Sequence, residues 1–208
     1  MKRGHWQILL AAVLFLLALG LTLYPVVSNW YIGRHQSRIQ TEYREVLEQT
    51  DSAEIESIRK RAVAYNKTIT PGAAEEAYSQ KSIRLAAEDY VNRLNVSGSG
   101  IMGYVEIPKI GVDLPIYHGT GADSLDRGTG HLLGSSLPVG GESTHTIITG
   151  HSGMASQKMF TDLEKLRERD IFYLHVLDET LAYEVREIHT VLPHDTTYLG
   201  IEPGEDLC

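Results

Sequence analysis

Cysteine is almost absent from this chain of 208 residues. The single cysteine, Cys208, excludes an intrachain disulfide, so the fold has to be stabilised by its hydrophobic core. The nine histidines are accompanied by no H-E-x-x-H segment and no paired cysteines. Because structural and catalytic zinc sites need such ligand spacings, we expect no metal site.

A run of lysine and arginine residues is missing as well. The chain has 19 basic and 27 acidic residues, and its formal net charge is −8. An excess of acidic residues argues against a nucleic-acid-binding surface. With 42% hydrophobic and 22% charged residues, the composition is that of a folded protein.

One long segment carries no charge at all. Ile8 to Val27 forms a run of 20 residues, which spans a bilayer when it is helical. Lys2 and Arg3 favour a cytoplasmic N-terminus, residues 1–7. The alternative is a cleaved signal peptide, but its apolar core is usually shorter, and no small-x-small site occurs near Val27. We therefore predict an uncleaved anchor over 8–27, with the rest of the chain outside the cytoplasm.

Residues 28–100 predict a helical arm. One helix face carries apolar residues at the expected spacing: Ile39, Tyr43, Val46 and Leu47. Asp51 or Ser52 is a suitable cap for a second helix. The Pro71-Gly72 pair predicts a loop over 66–80, and 82–96 is helical again.

After Gly100 the pattern changes to short β-rich runs separated by glycine and proline. The predicted strands are 102–108, 112–119, 144–150, 171–177 and 181–193. One predicted helix, 158–167, interrupts them. Several short strands with turns between them indicate a mostly-β sandwich or barrel. The last residues, 201–208, look like a turn leading into another strand, so we expect the chain to stop where a strand begins.

The segment HTIITGHSGM, residues 145–154, contains the most informative histidine. His151 follows a predicted strand and lies between glycines. It is either a loop histidine satisfied by the backbone or a general acid and base, since imidazole titrates near neutral pH. Ser152 as a hydrolase nucleophile is disfavoured, because G-x-S-x-G would need glycine where Met154 stands.

Four segments, read together, resemble the sortases, which are bacterial cysteine transpeptidases, and most closely the pilus-assembling class C enzymes. The segments are GYVEIPKIGVDLPIYHGT (103–120), GTGHLLGSSLPVGGESTHTIITGHSG (128–153), MFTDLEKLRERDIFYLHVL (159–177) and IEPGEDL (201–207). The resemblance implies a sortase-type β-barrel over 101–208, a Cys–His–Arg site and no cofactor.

Carried over residue by residue, the resemblance assigns His151 to the family's T-G-H motif, together with Thr149 and Gly150. His131 matches a recurring family histidine that we interpret as structural. In the family, T-L-x-T-C follows a segment like IEPGEDL. Cys208 falls at the position before that motif, so we expect it not to be the nucleophile, and the barrel to be incomplete at its C-terminal end.

The resemblance implies a single-pass enzyme of the cell membrane with an extracellular domain. It would join LPXTG-type pilin or surface proteins, through a thioester, to a lysine amine. The alternatives are a cell-wall-anchoring sortase that uses a peptidoglycan-precursor amine, or an inactive membrane-tethered remnant. Class C enzymes also carry a lid with an Asp-Pro-aromatic anchor. The corresponding residues 66–82 lack it, so a plain solvated loop is favoured over a lid in which Tyr78, Glu75 or Glu76 substitutes.

Overall fold

The computed structural model describes residues 2–79, 87–153 and 159–208, which contain five α-helices and eight β-strands. The helices are α1 (Lys2–Gln49), α2 (Ser52–Asn66), α3 (Ala73–Ser79), α4 (Ala87–Val91) and α5 (Ala122–Leu125). The strands are β1 (Ile101–Ile107), β2 (Val112–His118), β3 (Thr129–His131), β4 (Thr144–His145), β5 (Ile148–Thr149), β6 (Ile171–Val176), β7 (Glu179–Glu184) and β8 (Asp206–Leu207). Two 3-10 helices lie at Pro108–Ile110 and Leu163–Lys165.

Six of the strands form one curled sheet in the order β5-β3-β2-β1-β6-β7. β1 lies near its centre and is antiparallel to both β2 and β6, whereas β2 and β3 are parallel. β4 and β8 form a separate parallel pair. Met102, Ile116 and Leu174 are fully buried on adjacent strands and lie in the main core. The predicted mostly-β barrel, preceded by a helix of membrane-spanning length and a helical arm, is confirmed as a half-barrel.

The predicted anchor and the first helix of the arm form one unbroken helix, α1. Among the described residues, α1 is the helix long and apolar enough to cross a membrane. The chain turns at Thr50, and Asp51 caps α2 by accepting the backbone N–H of Ala53 at 2.7 Å. An aspartate at this position satisfies a free N–H of the first turn, so the predicted second helix and its cap are confirmed.

Side chains of the arm attach it to the sheet. The Tyr43 hydroxyl donates to the carbonyl of Met102 and accepts the N–H of Leu177, so one buried phenol joins β1 to the end of β6. Burial raises the pKa of Tyr43 to about 12. At the end of α2, the buried Asn66 amide donates to the Leu137 carbonyl at 3.0 Å and accepts the Leu137 N–H at 2.7 Å.

The loop predicted over 66–80 is wrong for its second half, which is α3. The Pro71-Gly72 pair directly precedes this helix, and the Gly72 carbonyl accepts the N–H of Glu76 at 2.9 Å. Glu75 and Glu76 lie in the first turn, where negative charge favours a helix. Of the helix predicted over 82–96, residues 82–86 lie outside the described residues, and the rest is helical only in α4.

Three predicted elements in the β-rich part are also wrong. The strand predicted over 144–150 is divided into β4 and β5, which belong to different sheets. The strand predicted over 181–193 ends at Glu184, because Glu184 pairs with Ile171, the first residue of its neighbour β6. In the helix predicted over 158–167, Lys158 lies outside the described residues, and the remainder contains only a 3-10 turn. Met159, with φ of 37°, has a left-handed backbone that an α-helix cannot include.

Candidate functional site

His151 lies two residues beyond the end of β5, at the edge of the six-stranded sheet. Its backbone carbonyl accepts the N–H of Phe160 at 3.1 Å. Its Nε2 atom lies 3.6 Å from Oδ1 of Asp126, and the two side chains are 39% and 63% exposed. This separation is too long for a hydrogen bond, and solvent weakens such a pair. The backbone of His151 is therefore held, while its imidazole remains accessible and has one carboxylate beside it.

The residue before this histidine has to be glycine. A Cβ atom on Gly150 would lie 2.7 Å from Cδ2 of the Phe160 ring, closer than real Cβ contacts. The ring is itself buried in the main core. Thr149 donates through its hydroxyl to the Gly130 carbonyl at 3.3 Å. The T-G-H segment is thus positioned by β3 on one side and by Phe160 on the other.

Ser152 lacks the surroundings of an activated nucleophile. It is exposed, and among the described residues no hydrogen bond joins it to a base. In the described ranges 2–79, 87–153 and 159–208, no group of three histidine, cysteine, aspartate or glutamate side chains could hold a metal ion.

A second histidine, His131, is completely buried on β3, one strand away from the T-G-H segment. Its Nε2 lies 2.8 Å from the Ser136 carbonyl, which can only accept, so Nε2 carries the proton. Its Nδ1 is then an acceptor for the hydroxyl of the buried Tyr90, at 2.9 Å, and the His131 carbonyl is a second acceptor for the same hydroxyl, at 3.0 Å. The same hydroxyl accepts the N–H of Gly119 at 3.0 Å. Tyr90 on α4 therefore connects the arm to both β3 and the end of β2.

Burial determines the protonation state of this buried histidine. Desolvation lowers the pKa of His131 to about 4, although the hydrogen bond to the Ser136 carbonyl acts in the opposite direction. His131 is therefore neutral at neutral pH. This agrees with its interpretation as a structural residue, because a neutral ring with both nitrogens engaged is not available to a substrate.

Cys208 lies just beyond β8 and is exposed as a residue. Local desolvation of its thiol, and next the Asp206 carboxylate, raise the pKa of Cys208 to about 12. A thiol of this kind is almost entirely protonated at neutral pH and is a poor nucleophile. These surroundings do not resemble those of a reactive cysteine.

The beginning of β8 is fixed by the Asp206 carboxylate. One oxygen accepts the Gly141 N–H at 2.8 Å, and the other accepts the Tyr183 hydroxyl at 2.8 Å. The Thr144 hydroxyl lies 3.3 Å from that second oxygen. Since Asp206 and Thr144 are also opposite each other in the β4–β8 pair, the carboxylate holds the register of that pair.

In the lid-like segment 66–82, the described residues Ala73–Ser79 form α3 and not the plain solvated loop that the sequence favours. Ala74 of α3 is buried against Leu132, which directly follows β3, and Ile147, which directly precedes β5. The Tyr78 hydroxyl donates to the Pro193 carbonyl at 2.7 Å, in the connection between β7 and β8. The small Ala74 side chain allows α3 to pack closely against Leu132 and Ile147, and the composition of the segment did not predict this packing.

Sequence reasoning identified His151 and His131 but missed their partners. Tyr90 beside His131 and Asp126 beside His151 were not predicted, and neither was Asp206, which holds the β4–β8 pair. The polar residue at the start of the last expected strand was a usable signal for Asp206. Nothing in the local sequence singles out Tyr90 or Asp126, because their roles depend on the tertiary fold.

Comparison with known proteins relates the whole arrangement to one family. The family model "Sortase domain" matches residues 105–207. Sortase C of Streptococcus pneumoniae is 39% identical in sequence, with a TM-score of 0.69, over 82% of this chain and 86% of that structure. Sortase C1 of Streptococcus agalactiae is 37% identical, with a TM-score of 0.72, over 82% and 88%. Sortase A of Streptococcus agalactiae is 24% identical over 95% of this chain and 74% of that protein.

Proposed function

Because this chain belongs to the sortase family, whose members are cysteine transpeptidases, we propose that it joins LPXTG-type pilin subunits at the cell membrane, with His151 as general acid and base. The observation that carries the proposal is the parallel pairing of β8 with β4, in a register that leads toward His151.

The register can be followed along the two strands. Leu207 lies opposite His145, and His151 is six residues beyond His145, so a strand continuing in the same register would bring position 213 opposite His151. A T-L-x-T-C motif directly after Cys208 would have its cysteine at that position. In the same extended register Cys208 falls opposite Thr146, which is five residues before His151, and an odd separation puts a strand side chain on the other face. This supports a nucleophile other than Cys208.

The chemistry follows from a cysteine thiolate placed beside His151. A thiolate attacks the carbonyl carbon of threonine in the sorting signal, the peptide C–N bond breaks, and His151 donates a proton to the leaving amine. An incoming lysine amine then attacks the thioester carbon and transfers a proton to His151. The new amide bond forms as the thiolate leaves, so no external energy source is required. An arginine and backbone N–H groups would stabilise the oxyanion.

The anchor is part of the same proposal. We assign Ile8–Val27 of α1 to the membrane, residues 1–7 to the cytoplasm and the domain to the outside. The accessible ring of His151 is then available to extracellular LPXTG-type proteins. Confinement of enzyme and substrates to one membrane raises their effective concentration.

We propose that the acceptor is a pilin subunit and not a cell-wall precursor, because of the proteins to which this chain is similar. The structure of sortase C from Streptococcus pneumoniae is described in terms of pilin substrate specificity, and that protein is 39% identical to this chain. Transfer to a lysine amine rather than to a peptidoglycan-precursor amine, in a competition between the two, would agree with the proposal. Preference for the peptidoglycan-type amine would instead favour a cell-wall-anchoring role.

The test uses protein in which β8 continues through T-L-x-T-C and the arginine-bearing strand of the family. Cleavage of a quenched LPXTG-type peptide should survive Cys208→Ser with a change of less than about twofold. Moving the cysteine from position 213 to 212 should abolish cleavage. His151→Gln should lower the rate by about 10²–10⁴, while the exposed His194→Gln serves as the control. Loss of cleavage in Cys208→Ser would show that the register argument is wrong.

A further inference from the structure

The two tryptophans mark two levels along α1. Trp6 and Trp30 are 68% and 60% exposed and lie 24 residues apart. That separation is about 36 Å along an α-helix. Tryptophan and tyrosine concentrate at membrane–water interfaces, and a bilayer with its interfaces is about 40–45 Å thick. Trp6 and Trp30 therefore fit the two interfaces, and Tyr31 adds a second exposed aromatic residue at the outer one.

Very little chain separates the outer interface from the folded domain. Gln36, six residues after Trp30, is only 8% exposed, and its amide donates to the Arg127 carbonyl at 3.4 Å. Six helical residues advance about 9 Å. One turn later, Gln40 donates to a carboxylate oxygen of Asp113 at 2.7 Å. Since α1 is unbroken here, it forms a short and stiff connection between the membrane and the domain.

Through Gln36, α1 contacts Arg127, the second residue after α5, within about two turns of Trp30. Arg127 directly follows Asp126, whose carboxylate lies 3.6 Å from His151. We call α5 together with Asp126 and Arg127 the membrane-proximal edge. The polar layer on each side of a bilayer is about 5–7 Å thick. A side chain reaching down from this edge can therefore contact the headgroups.

We propose that the membrane-proximal edge rests on the outer headgroup layer, so that the site around His151 opens toward the membrane surface. This inference rests on the proposed membrane anchor. It commits to lipid headgroups as the occupant of the edge, and it assigns an orientation to the domain that anchoring alone does not require.

The charges near this edge are compatible with phosphate-containing headgroups. The edge itself carries one arginine, Arg127, whose guanidinium lies 4.4 Å from the centre of the Tyr117 ring, and two aspartates, Asp123 and Asp126. The positive charge that faces the headgroups comes from α1, where Arg34 and Arg38 are exposed between Trp30 and Gln40. The Arg34 guanidinium also lies 4.6 Å from the centre of the Trp30 ring. A cation directly outside an interfacial tryptophan is well placed for headgroup phosphates.

This orientation has a consequence for the substrates. A membrane-tethered substrate presents the residues next to its own span within a few ångströms of the surface. A site that opens at headgroup level meets those residues without requiring the substrate to extend outward. The stiff connection would then select for membrane-held substrates over free proteins that carry the same signal.

The experiment measures the distance between labelled positions and lipid headgroups. In the full chain with Cys208→Ser, reconstituted into liposomes, single cysteines are introduced by Asp123→Cys and Glu48→Cys and carry the same fluorophore. Both positions are exposed, and Glu48 lies 12 residues beyond Gln36 on α1, about 18 Å farther out. Lipids with a nitroxide on the headgroup quench nearby fluorophores. We expect quenching at position 123 to exceed that at position 48 at least twofold.

A flexible insertion tests the cause. Four residues, Gly-Ser-Gly-Ser, are placed after Gly33. The ratio of quenching at position 123 to quenching at position 48 should then fall to near one. Equal quenching in the parent protein, or a difference that survives the insertion, would overturn the inference. Flotation with the liposomes is measured in parallel: a chain that does not float would contradict the proposed anchor itself. If Asp123→Cys does not fold, the neighbouring exposed Ala122→Cys replaces it.

Discussion

Replacing the buried His131 with glutamine should make the stability of the domain less sensitive to acid. Burial lowers the pKa of His131 to about 4 in the folded state, while an unfolded histidine has a pKa of about 6.5. Below pH 6.5 the unfolded chain therefore takes up a proton that the folded chain does not. The stabilisation is complete above pH 6.5 and is lost as the pH falls toward 4.

The size of the effect follows from these two values. Between pH 7 and pH 4 the free energy of unfolding should fall by about 3 kcal/mol because of His131 alone. His131→Gln removes this titration. It should also lower the stability at pH 7 by about 1 kcal/mol, because the Tyr90 hydroxyl loses its nitrogen acceptor. The difference in stability between the parent protein and the variant should thus shrink, and then reverse, in acid.

The assay has to report on the sheet. Both tryptophans, Trp6 and Trp30, lie in α1, so their fluorescence is unsuitable. Urea unfolding of the full chain in non-ionic detergent, followed by near-ultraviolet circular dichroism of the tyrosines, reads the β-domain. The exposed His194→Gln is the matched control and should retain the pH dependence of the parent. Parallel loss of stability in the parent and in His131→Gln between pH 7 and pH 4 would refute the reasoning.

Three further substitutions test single contacts by the same urea unfolding. Gly150→Ala should lower the free energy of unfolding by about 1–3 kcal/mol, because the added Cβ meets the Phe160 ring. Phe160→Leu in the same protein should recover part of this loss, and strictly additive effects of the two substitutions would contradict a direct clash. Asn66→Ala should cost about 2–3 kcal/mol, since both of its hydrogen bonds to Leu137 are buried; a loss below 0.5 kcal/mol would mean that the contact is dispensable. Asp206→Asn should cost about 1–3 kcal/mol, because an amide replaces one carboxylate oxygen that accepts an N–H; unchanged stability would rule out this carboxylate as the element that holds the β4–β8 register.

The parts of the fold that depend on local pattern could be predicted from the sequence. β1, β2 and β6 lie within one residue of their predicted limits, because each is a β-branched, apolar run bounded by glycine, proline or charged residues. The cap of α2 was recognisable because an aspartate acts there through its own neighbouring N–H.

Other features depend on tertiary contacts and could not be predicted in this way. β3 has only three residues, too few to display an alternating pattern, and it exists because β2 and β5 pair with it on both sides. The end of β7 is determined by where β6 begins. In the candidate site, His151 was identifiable from its motif. Its neighbour Asp126, however, is 25 positions earlier in the chain and approaches it only through the fold.

The arm is an integral part of the β-domain rather than a spacer. Tyr43 supplies a hydrogen-bond partner to the end of β6, Asn66 satisfies both backbone groups of Leu137, and Tyr90 supplies the proton that buried His131 accepts. Each of these partners comes from a different helix, and each satisfies a polar group that would be costly to bury alone. Removal of the arm would therefore leave these polar groups of the sheet exposed or without hydrogen-bond partners. α1 is also the helix that we propose as the membrane anchor, and its Tyr43 joins β1 to the end of β6, so under that proposal the fold itself couples the domain to the bilayer.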